Sequence, residues 1–244
     1  RWSDSLTRTL TTTGASQQSL ADASREAWIK FYQPNENSAN SQVSYYTRGM
    51  ATALLLLAEL HQHGVHLDDL LQRWWQDWQQ QPNQALTPAK VMQDLQTLCA
   101  HVNWPLWLAQ YVEEPNPLLA EQLALQLPQL GLVLTAKLQP SLGVKLAEEQ
   151  GALIVKQVTS DSPAHTAGWQ VGDELIALEN WRVRNATHVE QQLAIWQANP
   201  NSLPLVATLN RKGYLITTAI QPRLMATTYE LAAINESSLT WLKP

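Results

Sequence analysis

The hydrophobic periodicity of this sequence changes once along the chain, and that change limits the architectures the chain can adopt. Before about residue 122, apolar residues recur at the three- and four-residue spacing typical of amphipathic helices. After about residue 130, they alternate in short runs between turn residues, which is the pattern of β-strands. The sequence therefore predicts an α+β protein of two domains, helices first and strands second, and 244 residues are enough for both.

One predicted helix in the first half, residues 45–63, has a centre that is apolar on all sides and is therefore expected to be buried. The preceding segment, "PNENSANSQ" (residues 34–42), has no apolar period and predicts a loop. Two adjacent tyrosines, Tyr45 and Tyr46, stand where this loop meets the helix. Packing at the start of a buried helix and a catalytic hydroxyl are both sufficient reasons for such a pair.

The second half contains a specific local pattern, "SDSPAHTAGWQVGDELIALENWRV", at residues 160–183. It predicts a short helix near Pro163 that ends at Gly168, then a turn at Gly172 and Asp173 that leads into a strand. This pattern resembles the signature of PDZ domains, in the circularly permuted order found in bacterial proteases. The resemblance covers roughly residues 130–222 and implies a small β-barrel or sandwich with two helices.

In PDZ domains, a loop presents backbone N–H groups to the C-terminal carboxylate of a peptide, which then adds as a strand beside the next β-strand. The matching segment here is "SLGVKL", so the resemblance implies that Leu142, Gly143 and Val144 bind the carboxylate. The helix over residues 187–196 would form the other wall of the groove, with His188 and Gln192 facing the ligand. The alternative is a groove that the protein's own chain fills, or one that serves only as a joint between domains.

The first half resembles glycyl aminopeptidases, zinc metallopeptidases of the gluzincin type that carry a C-terminal PDZ domain. The likeness runs through "SLADASREAWIKFYQPNENSANSQVSYYTRGMATALLLLAEL", residues 19–60. It implies domains at residues 1–124 (helical part of the catalytic domain) and 125–224 (PDZ), with a tail at 225–244 that packs on them. It also implies a bacterial zinc aminopeptidase, cytoplasmic or periplasmic, that releases small N-terminal residues such as glycine from peptides.

One departure from the family decides which functions carry over. Gluzincins bind zinc through an HExxH helix and a downstream Glu, and no HExxH occurs here. In the family these elements precede the region where this chain starts, so we expect a C-terminal fragment that binds no zinc and is inactive alone. The histidines of "HQHGVH" diverge around a helix end, and the single cysteine, Cys99, cannot form a cysteine cage. We therefore predict no metal site.

The family resemblance gives the tyrosines a role. Related enzymes place a Tyr ahead of an apolar helix, where its hydroxyl stabilises the oxyanion that forms on the scissile carbonyl. By that likeness Tyr46 is the predicted oxyanion donor and Tyr45 the alternate, since adjacent helical residues diverge by about 100°. The other interpretation of Tyr46 is a buried tyrosine bonded to a backbone carbonyl. Arg48 is expected either to contact substrate or to hold a loop carboxylate such as Glu36.

Charge and hydropathy narrow the classes of partner. The formal net charge is −5 without a basic stripe, which excludes a nucleic-acid footprint. The longest apolar run, residues 50–58, is far shorter than the ~20 residues that span a bilayer. The resemblance, in turn, implies a peptide substrate and, at the PDZ groove, a C-terminal peptide ligand. The alternative function is a non-catalytic PDZ module on a helical scaffold.

Overall fold

The computed structural model describes residues 2–199 and 203–235, and these divide into two compact units. The helical unit consists of residues 2–32, 42–136 and 228–235. The strand-rich unit consists of the described residues within 33–41 and 137–227. Helices precede strands as expected, and the predicted α+β architecture is confirmed.

The helical unit is organised around α4, Tyr45–Gln62, whose N-terminus is capped by the Ser44 hydroxyl. Its other α-helices are short, and several begin at a side-chain cap. They are α1 (Trp2–Leu10), α2 (Leu20–Arg25), α5 (Leu67–Gln80), α6 (Pro88–Leu98), α7 (Trp104–Leu108) and α8 (Leu119–Gln126). Two π-helical turns, Ala27–Phe31 and Ala109–Glu113, follow α2 and α7. The short helix α3, Ser38–Ser41, lies in the segment that belongs to the strand-rich unit.

The core of the helical unit forms around the apolar residues of α4. Leu54, Leu55 and Leu60 are fully or almost fully buried there, together with Trp104. Because α4 is apolar on all sides, helices pack around most of its circumference, as the sequence predicts for a buried helix.

The strand-rich unit contains one antiparallel sheet with strand order β2-β3-β4-β6-β7, and β5 pairs with β4. These strands are β2 (Val144–Glu149), β3 (Ala152–Val158), β4 (Glu174–Leu178), β5 (Trp181–Arg182), β6 (Leu205–Arg211) and β7 (Tyr214–Ile220). The helices α9, Pro163–Thr166, and α10, Ala186–Ala198, complete the unit. Among the described residues, β2 pairs with β3 alone, so its outer edge is open to another strand.

Two further strands, β1 (Leu132–Ser141) and β8 (Arg223–Ala233), pair with each other, and the chain leaves and re-enters the helical unit within them. The end of β8 is held by α1, because the Tyr229 amide donates to the Thr7 hydroxyl at 2.8 Å. The predicted tail, 225–244, thus begins as a strand. The last part of that tail, residues 236–244, which includes the apolar Leu239, Trp241 and Leu242, lies outside the described residues, so its expected packing falls there too.

The unit boundaries differ from a single division near residue 124. Residues 125–136 belong with the helices, and residues 33–41 belong with the strands. The Asn40 amide explains the second difference, because its Nδ2 donates to the Val158 carbonyl at 2.8 Å and its Oδ1 accepts from the Ser160 amide at 2.9 Å. A segment that reads as a loop of the helical half is therefore a structural part of the other unit.

No helix in the described ranges combines the length and the hydropathy that crossing a bilayer requires.

Candidate functional site

Three phenols meet in the helical unit and form what we call the tyrosine cluster: Tyr32, Tyr45 and Tyr46. The Tyr32 hydroxyl lies 3.0 Å from the Tyr45 hydroxyl and 3.2 Å from the Tyr46 hydroxyl. Both distances are those of O–H···O hydrogen bonds. The cluster therefore joins the end of the Ala27–Phe31 π-helical turn to the first turn of α4.

The first turn of α4 brings the two adjacent tyrosines together. The rings of Tyr45 and Tyr46 lie 4.2 Å apart between centroids, with their planes inclined by 30°. The expected divergence of about 100° describes the Cα–Cβ directions of neighbouring helical residues. The hydroxyls stand at the far ends of long side chains, so the rings lean together and both hydroxyls meet Tyr32.

Two further aromatic rings, those of Phe31 and Trp28, pack against the cluster. The Phe31 ring packs against Tyr45 at 5.6 Å and against Tyr46 at 6.3 Å, and the Trp28 ring lies 5.1 Å from Tyr32. Tilted and edge-on arrangements of this kind are favourable for aromatic pairs. Because 62% of Tyr46 and 80% of Trp28 remain exposed, the cluster is a surface site.

The hydrogen bonds of the cluster move the pKa values of two phenols in opposite directions. The bond with Tyr32, followed by the interaction with Tyr46, raises the pKa of Tyr45. The bond with Tyr32, followed by the interaction with Tyr45, lowers the pKa of Tyr46. The alternative interpretation of Tyr46, as a buried tyrosine bonded to a carbonyl, is wrong, because Tyr46 is exposed and its hydroxyl faces another phenol.

Arg48 does not lie at the surface with the tyrosines. Its side chain is fully buried in the helical unit, and its Nη1 donates to the Asn116 carbonyl at 3.3 Å. Its Nε and Nη2 have no hydrogen-bond partner among the described residues. The expected contact with substrate is therefore wrong for this structure. The expected carboxylate partner, such as Glu36, is not seen either, since the hydrogen bond that the structure shows for Arg48 goes to a backbone carbonyl. Burial lowers the pKa of Arg48 to about 10.

No group of three or more histidine, cysteine or acidic side chains in the described ranges is placed to hold a metal ion. His63 instead lies 3.4 Å from Glu59 at the end of α4, and the His66 backbone is held by Asp69 at the start of α5. Cys99 is buried, and burial raises the pKa of its thiol.

In the strand-rich unit, the predicted carboxylate loop is held from its inner side. The Leu142 carbonyl accepts from the Ala164 amide, and the Gly143 carbonyl accepts from the Thr159 amide. In a trans peptide the N–H points opposite to the carbonyl. The N–H groups of Gly143 and Val144 therefore point away from the interior. The Gly143 N–H donates to the Ser141 hydroxyl at 3.0 Å.

Gly143 is required at its position. Its φ is +74°, and a Cβ added there would lie 2.1 Å from the Cβ of Ser162, which is fully buried. A side chain at residue 143 would therefore collide with the residue that caps α9.

A cleft of about 360 Å³ lies between the end of β1 and α10. It is lined by Gln139, Pro140, Glu190, Leu193, Ala194 and Gln197. The predicted helix residues lie elsewhere on α10: Gln192 is buried, and His188 Nδ1 accepts from the Arg184 amide. Neither residue lines this cleft.

Sequence reasoning missed two sets of residues. Tyr32 lies thirteen and fourteen positions before Tyr45 and Tyr46 in the chain. Its only signal in the sequence was a third tyrosine close to that pair, in "KFYQPN". Glu190, Ala194 and Gln197 share one face of α10 at four- and three-residue spacing, so the helix period could have shown them as a set.

Two protein-family models match this chain. Residues 1–52 match the model of the M61 glycyl aminopeptidases, and residues 132–207 match the PDZ domain model. The resemblance to glycyl aminopeptidases with a PDZ domain, drawn from the sequence, is thereby confirmed. No curated protein matches the chain.

Among solved structures, an aminopeptidase N family protein from Idiomarina loihiensis matches 100% of this chain with a TM-score of 0.77 and 22% identity. The match covers 43% of that protein, so this chain spans less than half of its length. At this identity the likeness shows the fold.

Two further solved structures match a smaller part of the chain. The HtrA3 PDZ domain bound to a phage-derived ligand matches 37% of this chain and 91% of its own, with 14% identity and a TM-score of 0.32. A serine endoprotease from Yersinia pestis matches 36% of this chain and 30% of its own, with 24% identity and a TM-score of 0.31.

Proposed function

We propose that this chain is the C-terminal part of a zinc-dependent aminopeptidase, and that Tyr46 supplies the hydrogen bond that stabilises its oxyanion. The observation that carries the proposal is the exposed Tyr46 hydroxyl at the N-terminus of the buried helix α4, within the segment that matches the glycyl aminopeptidase model. The substrate is a peptide with a free amino terminus and a small first residue, glycine above all, as the resemblance implies.

The chemistry assigned to Tyr46 follows from its position. A rigid first turn fixes the ring, and exposure allows the hydroxyl to reach a carbonyl oxygen of a bound peptide. The phenol is an uncharged donor at neutral pH, since an unperturbed tyrosine titrates near ~10. As negative charge develops on that oxygen in the transition state, the O–H···O⁻ bond strengthens, which lowers the barrier.

Zinc does not fit the described residues, which contain no suitable set of three ligands. The zinc ligands of the proposed enzyme therefore lie among residues other than those that the structure describes.

The test is Tyr46→Phe in the enzyme that contains this chain, assayed with glycyl, alanyl and leucyl peptides. Loss of one oxyanion donor lowers kcat by about 100- to 1,000-fold. Zinc content should be unchanged, because no described residue near Tyr46 is a ligand. Tyr214→Phe, at an exposed tyrosine of the strand-rich unit, is the matched control and should be fully active. Near-normal turnover of Tyr46→Phe would remove Tyr46 from the mechanism, and a leucyl preference would overturn the assigned specificity.

A second function, binding of a peptide C-terminus by the PDZ domain, is favoured by separate observations. The N–H groups of Gly143 and Val144 point outward, and the outer edge of β2 is open among the described residues. The Gly143 N–H donates to the Ser141 hydroxyl, which a bound carboxylate would replace as its acceptor. A cleft also lies beside α10. A peptide strand can pair with that edge while its carboxylate accepts from the loop amides. This arrangement also fits the non-catalytic PDZ module.

The test of this second function is a titration with peptides that end in a free carboxylate and with the same peptides amidated. Binding of the free acid alone is expected, because an amide carries no charge for the N–H groups to neutralise. Equal affinity for both forms, or no binding at millimolar concentration, would show that this groove serves the protein's own structure.

A further inference from the structure

We propose that the three phenols of the tyrosine cluster form a directed hydrogen-bond chain, Tyr45 to Tyr32 to Tyr46, in which Tyr32 is the positioning residue. The chain leaves the Tyr46 proton free for a ligand oxygen. This inference deepens the proposed function and rests on it for the identity of that oxygen, the oxyanion of a cleaved peptide.

The direction of the chain is constrained by proton counting. Each phenol has one O–H to donate and an oxygen that can accept. The Tyr32 oxygen lies within hydrogen-bond distance of both other hydroxyls, at 3.0 and 3.2 Å. Because Tyr32 has one proton, it donates to at most one partner and accepts from at least one. A chain through Tyr32 therefore has two possible directions, one that ends on Tyr45 and one that ends on Tyr46. An arrangement in which both partners donate to Tyr32 would raise the pKa of Tyr46, opposite to the direction found.

Exposure decides between the two directions. Tyr45 is half-buried, whereas 62% of Tyr46 is exposed. The O–H that no other phenol accepts needs an acceptor outside the cluster, either water or a ligand oxygen, and the more exposed residue reaches one more easily. The half-buried residue is better satisfied by donating within the cluster. The arrangement that satisfies both has Tyr45 donating to Tyr32 and Tyr32 donating to Tyr46.

The electrostatics agree with this direction. Hydrogen bonds donated to a phenol oxygen stabilise its phenolate and lower its pKa, which is the direction found for Tyr46. A phenol that donates its own proton holds that proton more firmly, which is the direction found for Tyr45. Among the described residues, Tyr32 and Tyr45 are the titratable groups that shift the pKa of Tyr46. The nearby charges of Glu26 and Lys30 pair with each other at 2.7 Å.

Packing against neighbouring aromatic rings holds the hydrogen-bond chain in place. Tyr32 follows the π-helical turn directly, and its ring packs against Trp28 at 5.1 Å and against Phe31 at 5.3 Å. These contacts involve the ring and leave the hydroxyl for the other phenols. A phenylalanine at residue 32 would therefore preserve the packing and remove only the hydrogen bonds.

The chemical consequence is a stronger donor at Tyr46. Hydrogen bonds in a chain polarise one another. When the oxygen of a hydroxyl accepts a hydrogen bond, its own O–H hydrogen becomes more positive and donates a stronger bond. No bond to hydrogen is broken and no proton is transferred. The chain only raises the strength with which the Tyr46 O–H supports developing negative charge.

The first test uses the 244-residue polypeptide alone and follows tyrosinate formation by ultraviolet absorbance as the pH is raised. In the parent chain the first tyrosine to ionise should be Tyr46, so Tyr46→Phe should remove that transition. Tyr32→Phe should move it to higher pH, and Tyr214→Phe should leave it in place. If Tyr32→Phe leaves the first transition unchanged, the hydrogen bonds do not run from Tyr45 through Tyr32 to Tyr46, and the proposal is overturned.

The second test uses the enzyme that contains this chain. Tyr32→Phe is expected to lower kcat by about three- to ten-fold with KM unchanged, because only the strength of a transition-state bond is altered. Tyr46 acts in its protonated form, so activity falls as the pH rises through its pKa. Because Tyr32→Phe should raise the pKa of Tyr46, it should move the alkaline limb of the pH profile to higher pH while kcat falls. A merely structural role would not produce this opposed pair of changes.

The outcomes separate the two proposals. Loss of activity in Tyr46→Phe together with an unchanged Tyr32→Phe rejects the chain and leaves the oxyanion donor standing. Full activity in Tyr46→Phe rejects the proposed function, and the absorbance titration then still decides whether the phenols are coupled in the proposed direction. Circular dichroism of each variant confirms that the fold is retained.

Discussion

Replacement of Gly143 by alanine tests the carboxylate loop, and the expected cost can be worked from two separate contributions. The first is the backbone: φ is +74°, and a left-handed conformation costs an L-residue roughly 1–2 kcal/mol. The second is steric, because the new Cβ would lie 2.1 Å from the Cβ of Ser162 and 2.6 Å from its Oγ. Overpacking typically adds about 1–3 kcal/mol, and so severe an overlap lies at the upper end.

The expected loss of unfolding free energy in the strand-rich unit is therefore about 3–5 kcal/mol. Gly151→Ala is the matched control, since Gly151 has a φ of +82° and no atom within 4 Å of the added Cβ. It should cost only the backbone contribution, about 1–2 kcal/mol. Ser162→Gly should rescue Gly143→Ala to about the same level, because it removes the colliding Cβ and a Ser-to-Gly change at a helix cap costs only a few tenths of a kcal/mol.

Hydrogen exchange of backbone amides over residues 137–227, followed by mass spectrometry, measures the stability of this unit without interference from the helical one. Peptide binding is measured on the same variants. If Gly143→Ala costs no more than Gly151→Ala, the close approach of the loop to Ser162 is not what shapes the carboxylate site, and the reasoning fails.

Three further predictions concern single side chains. Asp173 is almost fully buried and accepts two hydrogen bonds from Arg211, at 2.7 and 2.8 Å. Asp173→Asn should therefore lower the unfolding free energy of the strand-rich unit by about 2–4 kcal/mol, as measured by urea denaturation. The control is Glu149→Gln in the exposed pair with Lys156, which should cost less than about 1 kcal/mol. Arg48→Met should raise the stability of the helical unit by about 1–3 kcal/mol, because it removes a buried cation with two unpaired nitrogens; a loss of stability would contradict this. Since burial lowers the pKa of Arg48 to about 10, its penalty is present at neutral pH and fades as the pH rises above that value, so the advantage of Arg48→Met should shrink in alkaline urea titrations. Asn40→Ala should speed hydrogen exchange of the Ser160 amide, whereas Asn40→Asp keeps the acceptor oxygen and should protect it; equal exchange in both variants would refute the assignment.

The elements were predictable where local chemistry decides them. Thr87 followed by Pro88 predicts the start of α6, and the Thr87 hydroxyl does accept from the Lys90 amide. The all-round apolar run predicts the buried helix α4, and the "SPA…AG…GDE" spacing predicts α9 and β4. Each of these signals lies within a few residues of the structure that it specifies.

The site was predictable only in part, because its remaining features depend on tertiary packing. A helical wheel places Cβ atoms, and so it could not show that the Tyr45 and Tyr46 hydroxyls meet a third phenol from another element. Arg48 reads as an exposed cation in a first turn, yet the packing of the helices encloses it. On α10, periodicity identifies possible faces but not which of them borders the cleft, which is lined by Glu190 and Ala194 and not by His188 or Gln192.

The bridge made by Asn40 also has a consequence for the order of events during synthesis. Its partners, Val158 and Ser160, lie 118 and 120 residues later in the chain. At translation rates of about 5–20 residues per second, the Asn40 segment waits on the order of ten seconds before its partners emerge from the ribosome. Closing so long a loop is also entropically slow compared with forming the neighbouring helices. The nascent helical unit therefore carries residues 33–41 undocked for that interval, and a ribosome pause before residue 158 would prolong it.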